Sequence, residues 1–290
     1  VSELQPSLER LTELHRVDPG RPLVLLELVR YAEPAGRDEY ARILARLGGR
    51  LRFRGRAELQ LIGRADAAWD DFLIVEIRSR AGFVEGLAPA PQLQGILAAR
   101  RCHAAHPGPR ALPLLATLVG RLLRAVAAGP PPLPIAQARA GSSLLASQGT
   151  RALRPDPEQL EAFVAGDTGA PIVMFNLLAY RERAHYEPGV PDSDVSGREA
   201  YQRYARGIAR LLLGVGARPI WLGRAETTLV GDPEAWDEFA VVEYPSRAAF
   251  LGMLTSAAYR AQLHHRDAGL LRTELIQCAP EPVGSPPDDT

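Results

Sequence analysis

Two apolar runs set the frame for reading the chain. Pro22 to Tyr31 and Pro171 to Tyr180 are almost uninterrupted blocks of Leu, Val, Ile, Met and Phe, bounded by Gly and Pro. Their length and flanks predict buried strands rather than helices. After the second run, Tyr201, Tyr204, Ile208, Leu211 and Leu212 recur at helical spacing, which predicts an amphipathic helix. Mixed polar and apolar segments then predict second strands over 52–62 and 220–230. Third strands are predicted over 72–77 and 239–244. Ser79 and Ser246 stand as helix N-caps, each ahead of an apolar pair, Phe83 with Leu87 and Phe250 with Leu254. A short helix over 157–164 opens the second block, and a further helix near 257–266 leads to a last strand over 273–278. The corresponding last strand of the first block is placed at 111–118.

The two series of elements are related in sequence. Leu4 to Tyr31 lies over Leu153 to Tyr180 without a gap, and Leu4, Pro6, Glu9, Leu11, Asp18, Gly20, Pro22 and Tyr31 meet identical residues. Further along, Gly55-Arg56-Ala57-Glu58 matches Gly223-Arg224-Ala225-Glu226. Trp69-Asp70, Phe72, Glu76, Ser79-Arg80 and Phe83 match Trp236-Asp237, Phe239, Glu243, Ser246-Arg247 and Phe250. The expected organisation is a first unit over 1–128, a Pro-rich linker over 129–152, a second unit over 153–280 and a flexible tail over 281–290. The second unit carries an insertion within Arg181 to Ser196. Each unit reads β-α-β-β-α-β, the ferredoxin-like order. Such a unit covers one sheet face with helices, and the other face must be buried against something. The expected fold is α+β, with two ferredoxin-like units in tandem closing as an intramolecular, pseudo-dimeric α/β barrel.

Composition narrows the chemistry. The 290 residues include 34 basic and 34 acidic side chains, and every basic one is arginine. Charge balance argues against nucleic acid as a partner, because duplex binding needs a basic surplus. Without lysine there is no Schiff-base chemistry, no pyridoxal phosphate linkage and no Walker-type phosphate loop. Cys102 and Cys278 fall at unrelated positions and form no C-x-x-C pair. The most apolar stretch, 112–128, is interrupted by Arg121 and Arg124 and is too short to span a bilayer. A cytoplasmic protein without membrane association is expected.

The strand 171–180, the segment Ser196-Gly197-Arg198-Glu199-Ala200-Tyr201, and Trp236 through Val242-Glu243-Tyr244-Pro245-Ser246-Arg247 to Phe250 resemble the dimeric α/β-barrel superfamily. Within it, the chain is most similar to domain-of-unknown-function family 1330. Relatives in the superfamily include cofactor-independent monooxygenases, muconolactone isomerases, polyketide cyclases and haem-dependent enzymes. The resemblance implies a fold more firmly than a reaction.

Strand alternation places Leu25, Glu27 and Val29 on one face, and Met174, Asn176 and Leu178 on the matching one. It likewise groups Phe72, Ile74 and Glu76, and Phe239, Val241 and Glu243. Glu27 with Glu76, and Asn176 with Glu243, are therefore expected to approach each other between the sheets. Arg56 and Arg224 are expected to face the same interior. A carboxylate among apolar groups gains proton affinity unless paired, which suits it to general acid–base work. The expected catalytic set is Glu27, Glu76, Asn176, Glu243, Arg56 and Arg224, with the arginines stabilising an oxyanion. The change from Glu27 to Asn176 breaks the symmetry of the pair and points to one active and one supporting half. The alternative is a structural role, with Glu76 and Glu243 tied to Arg56 and Arg224. Phe53 and Trp221 are candidates to stack on a substrate. His185 and Tyr186 sit on the insertion, read as a lid. The expected function is a small-molecule enzyme, a cyclase, isomerase or monooxygenase, working without metal or coenzyme and capable of forming homo-oligomers. The alternatives are a non-catalytic binding or stress protein, and a haem enzyme using His103 or His264-His265.

Overall fold

A computed structural model describes residues 4–16, 23–63, 68–87, 93–108, 153–231 and 235–282. The first half contains α1 (Leu8–Arg16), β1 (Leu23–Tyr31), α2 (Gly36–Arg46), β2 (Gly49–Ile62), β3 (Asp71–Ile77), α3 (Arg80–Leu87) and β4 (Leu97–Pro107). The second contains α4 (Pro157–Ala165), β5 (Ile172–Tyr180), α5 (Gly197–Gly214), β6 (Arg218–Val230) and β7 (Glu238–Tyr244). It ends with α6 (Arg247–Thr255), α7 (Ala257–Arg260), α8 (Leu263–Gly269) and β8 (Leu270–Glu281).

Local chemistry fixes the helix starts. Asp156 and Gln159 form a reciprocal capping box at α4, with Pro157 at its first position. Ser196 and Glu199 do the same at α5. Ser246 accepts from the Ala249 backbone at 3.1 Å, and Ser79 from Gly82 at 3.1 Å. The position expected for the last strand of the first half, 111–118, lies outside the described residues, as does the linker. The strand is instead β4, earlier in the chain. Its sequence, LAARRCHAAHP, looks too polar for a central strand, but its arginines are engaged by acids elsewhere in the fold.

The eight strands are antiparallel and close into a barrel in the order β1-β3-β2-β8-β5-β7-β6-β4, with β4 returning to β1. Within each half the first strand lies between the third and the last. The halves meet where β2 pairs with β8 and β4 with β6. The interior is filled by Val24, Leu26, Leu28, Phe72, Ile74, Val173, Phe175, Leu177, Phe239 and Val241. Phe72 and Phe175 stack across the halves with centroids 4.1 Å apart. Opposite residues of the same strands, among them Leu25, Val29 and Met174, face outward into two further apolar layers beneath the helices. Burying both faces explains why β1 and β5 read as continuous apolar runs rather than as alternating ones.

Candidate functional site

The residues expected to converge between the sheets do not. Glu27 shares its strand face with Leu25 and Val29, which lie under the helices, whereas Glu76 shares its face with the interior residues Phe72 and Ile74. The two carboxylates therefore occupy opposite faces of the sheet. Alternation correctly grouped each set but did not say which set turned inward. Glu76 sits at the end of β3 and pairs with Arg52; Glu243, at the end of β7, pairs with Arg218 at 2.7 Å. Neither is tied to Arg56 or Arg224. Arg56 is exposed and meets only Glu58, at 2.8 Å, and Arg224 is exposed as well. Phe53 and Trp221 help fill the barrel, each lying over a glycine of its own strand. A Cβ at Gly55 would meet the Phe53 ring at 3.0 Å.

Glu27 is wholly buried and fully engaged. Tyr40 of α2 donates to its Oε2 at 2.5 Å, and Arg100 of β4 pairs with Oε1. Arg100 also donates to the Leu4 carbonyl at 3.1 Å. Burial opposes the charge on Arg100, but Glu27, with Tyr40 and Cys102 beside it, holds the guanidinium above its ordinary value. Cys102, whose thiol is pushed well up by burial and by Glu27, closes the cluster. Ion pair, phenol and thiol leave this space full.

The matching place in the second half is open. Asn176 stands opposite Ala240 and Leu275, as Glu27 stands opposite Leu73 and Cys102. Between β5, β7, β8 and the helices lies a cavity of about 130 Å³. Its wall is mostly apolar, with Leu61, Leu178, Ile208, Val242, Phe250 and Leu275 among its members. The polar members are Asn176, Thr273, Tyr201, Tyr204, Tyr244, Tyr259, Arg154 and Arg266. Asn176 donates its amide to the Met174 and Ala240 carbonyls, each at 3.1 Å, which fixes the side chain and leaves its own oxygen as an acceptor. Thr273 donates to the Leu177 carbonyl at 2.9 Å. Tyr204 donates to the Tyr259 hydroxyl at 3.2 Å.

The electrostatics favour neutral phenols beside positive charge. Burial raises the Tyr201 hydroxyl to about 12, against the opposing pull of Arg266. Burial and the neighbouring Tyr259 push Tyr204 well above its usual range. Arg266 is buried and donates to the Leu153 carbonyl at 3.0 Å. Burial works against its charge, while the phenols of Tyr259, Tyr204 and Tyr201 favour it. Arg154 is lowered, first by burial and then by the like charge of Arg266, and it bonds Asp267 at 2.6 Å. Among the described residues, no acidic side chain and no histidine lines the cavity.

The loop carrying His185 and Tyr186 is pinned to α8 and does not line the cavity. His185 donates its backbone N–H to Ala268 at 2.9 Å, and the Tyr186 hydroxyl meets His265 Nδ1 at 2.7 Å. At the loop's end Gly197 lies so close to Gly269 that a Cβ would meet its carbonyl at 2.6 Å. The histidines considered as haem ligands do not line it either. His103 points into the barrel, where Nδ1 meets Thr228 at 3.0 Å, and His264 and His265 face the loop. A histidine-ligated haem therefore does not fit this cavity. Sequence reading had counted Tyr201 and Tyr204 as an inner helix face. It missed Tyr259, Arg154 and Arg266; the last lies in the polar run His264-His265-Arg266-Asp267, where nothing local marks it as buried.

The family model described as a domain of unknown function, DUF1330, matches residues 190–276. A solved structure of a protein of unknown function from Rhodopseudomonas palustris is 35% identical, with a TM-score of 0.42; the match covers 47% of this chain and 100% of that one. A candidate monooxygenase from Lactobacillus acidophilus is 12% identical with a TM-score of 0.37, covering 90% and 94% of the two chains. Chlorite dismutase from Candidatus Nitrospira defluvii, solved with imidazole, is 10% identical with a TM-score of 0.38, covering 94% of each. Comparison with curated proteins finds no match. No described helix is long and apolar enough to cross a membrane.

Proposed function

The chain belongs to the DUF1330 family, and from that premise we propose that its second half is a small-molecule site that stabilises an oxyanion. The observation that carries this is the cavity itself, in which, among the described residues, four tyrosines and two arginines share an apolar wall with no acidic residue. Phenols that stay protonated are donors, and a guanidinium cannot become an acceptor. Such fixed donors bind a developing negative oxygen better than solvent does, because they are already oriented and need no reorganisation. The substrate class that fits is a compact, largely apolar molecule with an enolisable carbonyl or a phenol. Cyclisation, isomerisation and cofactor-free oxygenation of such molecules all pass through an oxyanion. Here the cavity donors take the part that sequence reading assigned to Arg56 and Arg224.

The site sits within a wider proposal, that 1–128 and 153–280 are two ferredoxin-like units descended from one. The strand order, the matching caps at Ser79 and Ser246 and the equivalent placement of Glu27 and Asn176 support it.

A non-catalytic binding protein is the second reading. It is favoured because, among the described residues, no carboxylate, histidine or cysteine lines the cavity to accept a proton. One experiment separates the two. Small aryl ketones are screened by ligand-observed NMR, and bound ketones are then followed for deuterium uptake beside the carbonyl in D₂O. Binding that disappears in Ala240→Phe places the ligand in the cavity. Exchange that falls in Tyr201→Phe and Arg266→Gln supports catalysis, binding without exchange supports the second reading, and ketone binding unchanged in Ala240→Phe sinks both.

A further inference from the structure

The filled place in the first half shows what the open one in the second is built to receive. In the first half a guanidinium is anchored on a backbone carbonyl, Arg100 Nη1 to Leu4, while its other end holds the Glu27 carboxylate. The second oxygen of that carboxylate accepts from Tyr40, on the helix that follows β1. In the second half the same frame recurs. Arg266 Nη1 is anchored on the Leu153 carbonyl at 3.0 Å, and Leu153 is the residue that aligns with Leu4. Tyr201 holds on α5 the place that Tyr40 holds on α2, four residues after Gly197 and Gly36 respectively. Its hydroxyl has no hydrogen-bond partner among the described residues.

What the second half lacks is the acid. Asn176 replaces Glu27 and turns its amide to the backbone. Thr273 stands where Arg100 stands, so the guanidinium comes from α8 instead of the last strand. Among the described residues, Asp267 stands at this end of the cavity, taking Arg154 at 2.6 Å and lying 3.6 Å from Arg266. Arg266 is buried and 3.6 Å from that carboxylate, beyond hydrogen-bond length, so an anion arriving beside it would gain a charge-assisted contact.

We propose that the cavity binds a small carboxylic acid, aryl or otherwise apolar in its body, whose carboxylate takes the position that Glu27 fills in the first half, between Arg266 and Tyr201. This rests on the small-molecule reading and names the ligand class within it. Arg266 supplies the charged contact, the Tyr201 hydroxyl donates to the second oxygen, and the apolar wall takes the ring. Asn176 is the selectivity position, because a glutamate there would supply the acid from the chain itself.

The test compares benzoate with its neutral counterpart benzamide by titration calorimetry on the whole chain, in the wild type and in Arg266→Gln and Asn176→Glu. Benzoate is expected to bind roughly tenfold or more tighter than benzamide, the margin a charge-assisted contact supplies. Arg266→Gln should remove that margin, bringing benzoate and benzamide to similar affinities. Asn176→Glu should abolish benzoate binding while circular dichroism reports an intact fold. If Asn176→Glu does not fold, the wild-type comparison decides alone. Equal affinity for the two probes overturns the carboxylate assignment and leaves the small-molecule site standing. Failure of both probes, together with failure of the ketone screen, overturns the site itself.

Discussion

Arg80 and Glu226 lie 146 residues apart, yet Arg80 Nη2 meets Glu226 Oε2 at 2.7 Å with both side chains almost wholly shielded from solvent. Arg247 and Glu58 repeat the contact in the opposite sense, at 3.0 Å. Each arginine leaves a helix of one half, braces a backbone carbonyl of the opening helix (Leu14 or Phe163) and reaches a glutamate on the second strand of the other half. These paired clamps account for the glutamates shared by the matched runs Gly55-Arg56-Ala57-Glu58 and Gly223-Arg224-Ala225-Glu226.

Removing one member of the tighter clamp leaves a buried charge without its partner. Glu226→Ala is expected to destabilise the chain by about 3–5 kcal/mol. Glu58→Ala should cost less, because Glu58 is more exposed. Urea unfolding monitored by circular dichroism checks both. A Glu226→Ala loss no larger than that of an ordinary surface pair would mean the contact is not a clamp.

The Glu27–Arg100 pair offers a double-mutant test. Arg100→Met alone strands a carboxylate in an apolar layer and should cost about 3–5 kcal/mol. The double variant Glu27→Leu/Arg100→Met is expected to lie much closer to the wild type, because it removes both desolvation penalties together. Additive losses in the cycle would show that the two residues are not coupled.

His103 contributes a pH dependence of defined sign. Burial, assisted by the charge of Arg101, lowers its pKa from 6.5 to about 3. Between those values the unfolded chain takes up a proton that the folded chain refuses, so stability rises with pH. The contribution is fully present above about pH 6.5 and is lost progressively as pH falls toward about 3. His103→Leu should flatten that part of the stability–pH curve. An unchanged slope would exclude His103 as its source.

Tyr186 supports the loop rather than the ligand. Tyr186→Phe removes the bond to His265 and should cost about 0.5–1.5 kcal/mol, without changing the affinity of any cavity ligand. Thermal melting and calorimetry read the two effects separately; a change in affinity would restore the loop to the site.

Much of the fold could be read in the sequence because it depended on local pattern. The apolar blocks ending at Tyr31 and Tyr180 are long enough for strands and for little else, and the serines at 79, 196 and 246 mark helix starts in a local code. β4 escaped notice because Arg100 and Arg101 made it look polar. Their acids, Glu27 and Glu274, lie 73 and 173 residues away. The site was legible only in one respect, that Asn176 in place of Glu27 separates the halves. Its direction was misjudged because a period of two groups side chains without saying which group faces the partner sheet. Arg266 lay beyond reach for a related reason. It does the work of Arg100 from a different element, and no register of the repeat aligns the two.

The barrel's closure has a consequence for how the molecule meets its own kind. Every strand from β1 to β8 has a neighbour on both sides, so no row of unpaired backbone amides faces outward. A sheet with such an edge can be extended by another chain, the usual route to strand-addition complexes and to fibrils. Here that route requires first breaking a β2–β8 or β4–β6 seam. Among the described residues, the surfaces left for folded copies to meet are helices and loops, and amide exchange around the eight strands should be slow except at the register breaks of β2, β4 and β6.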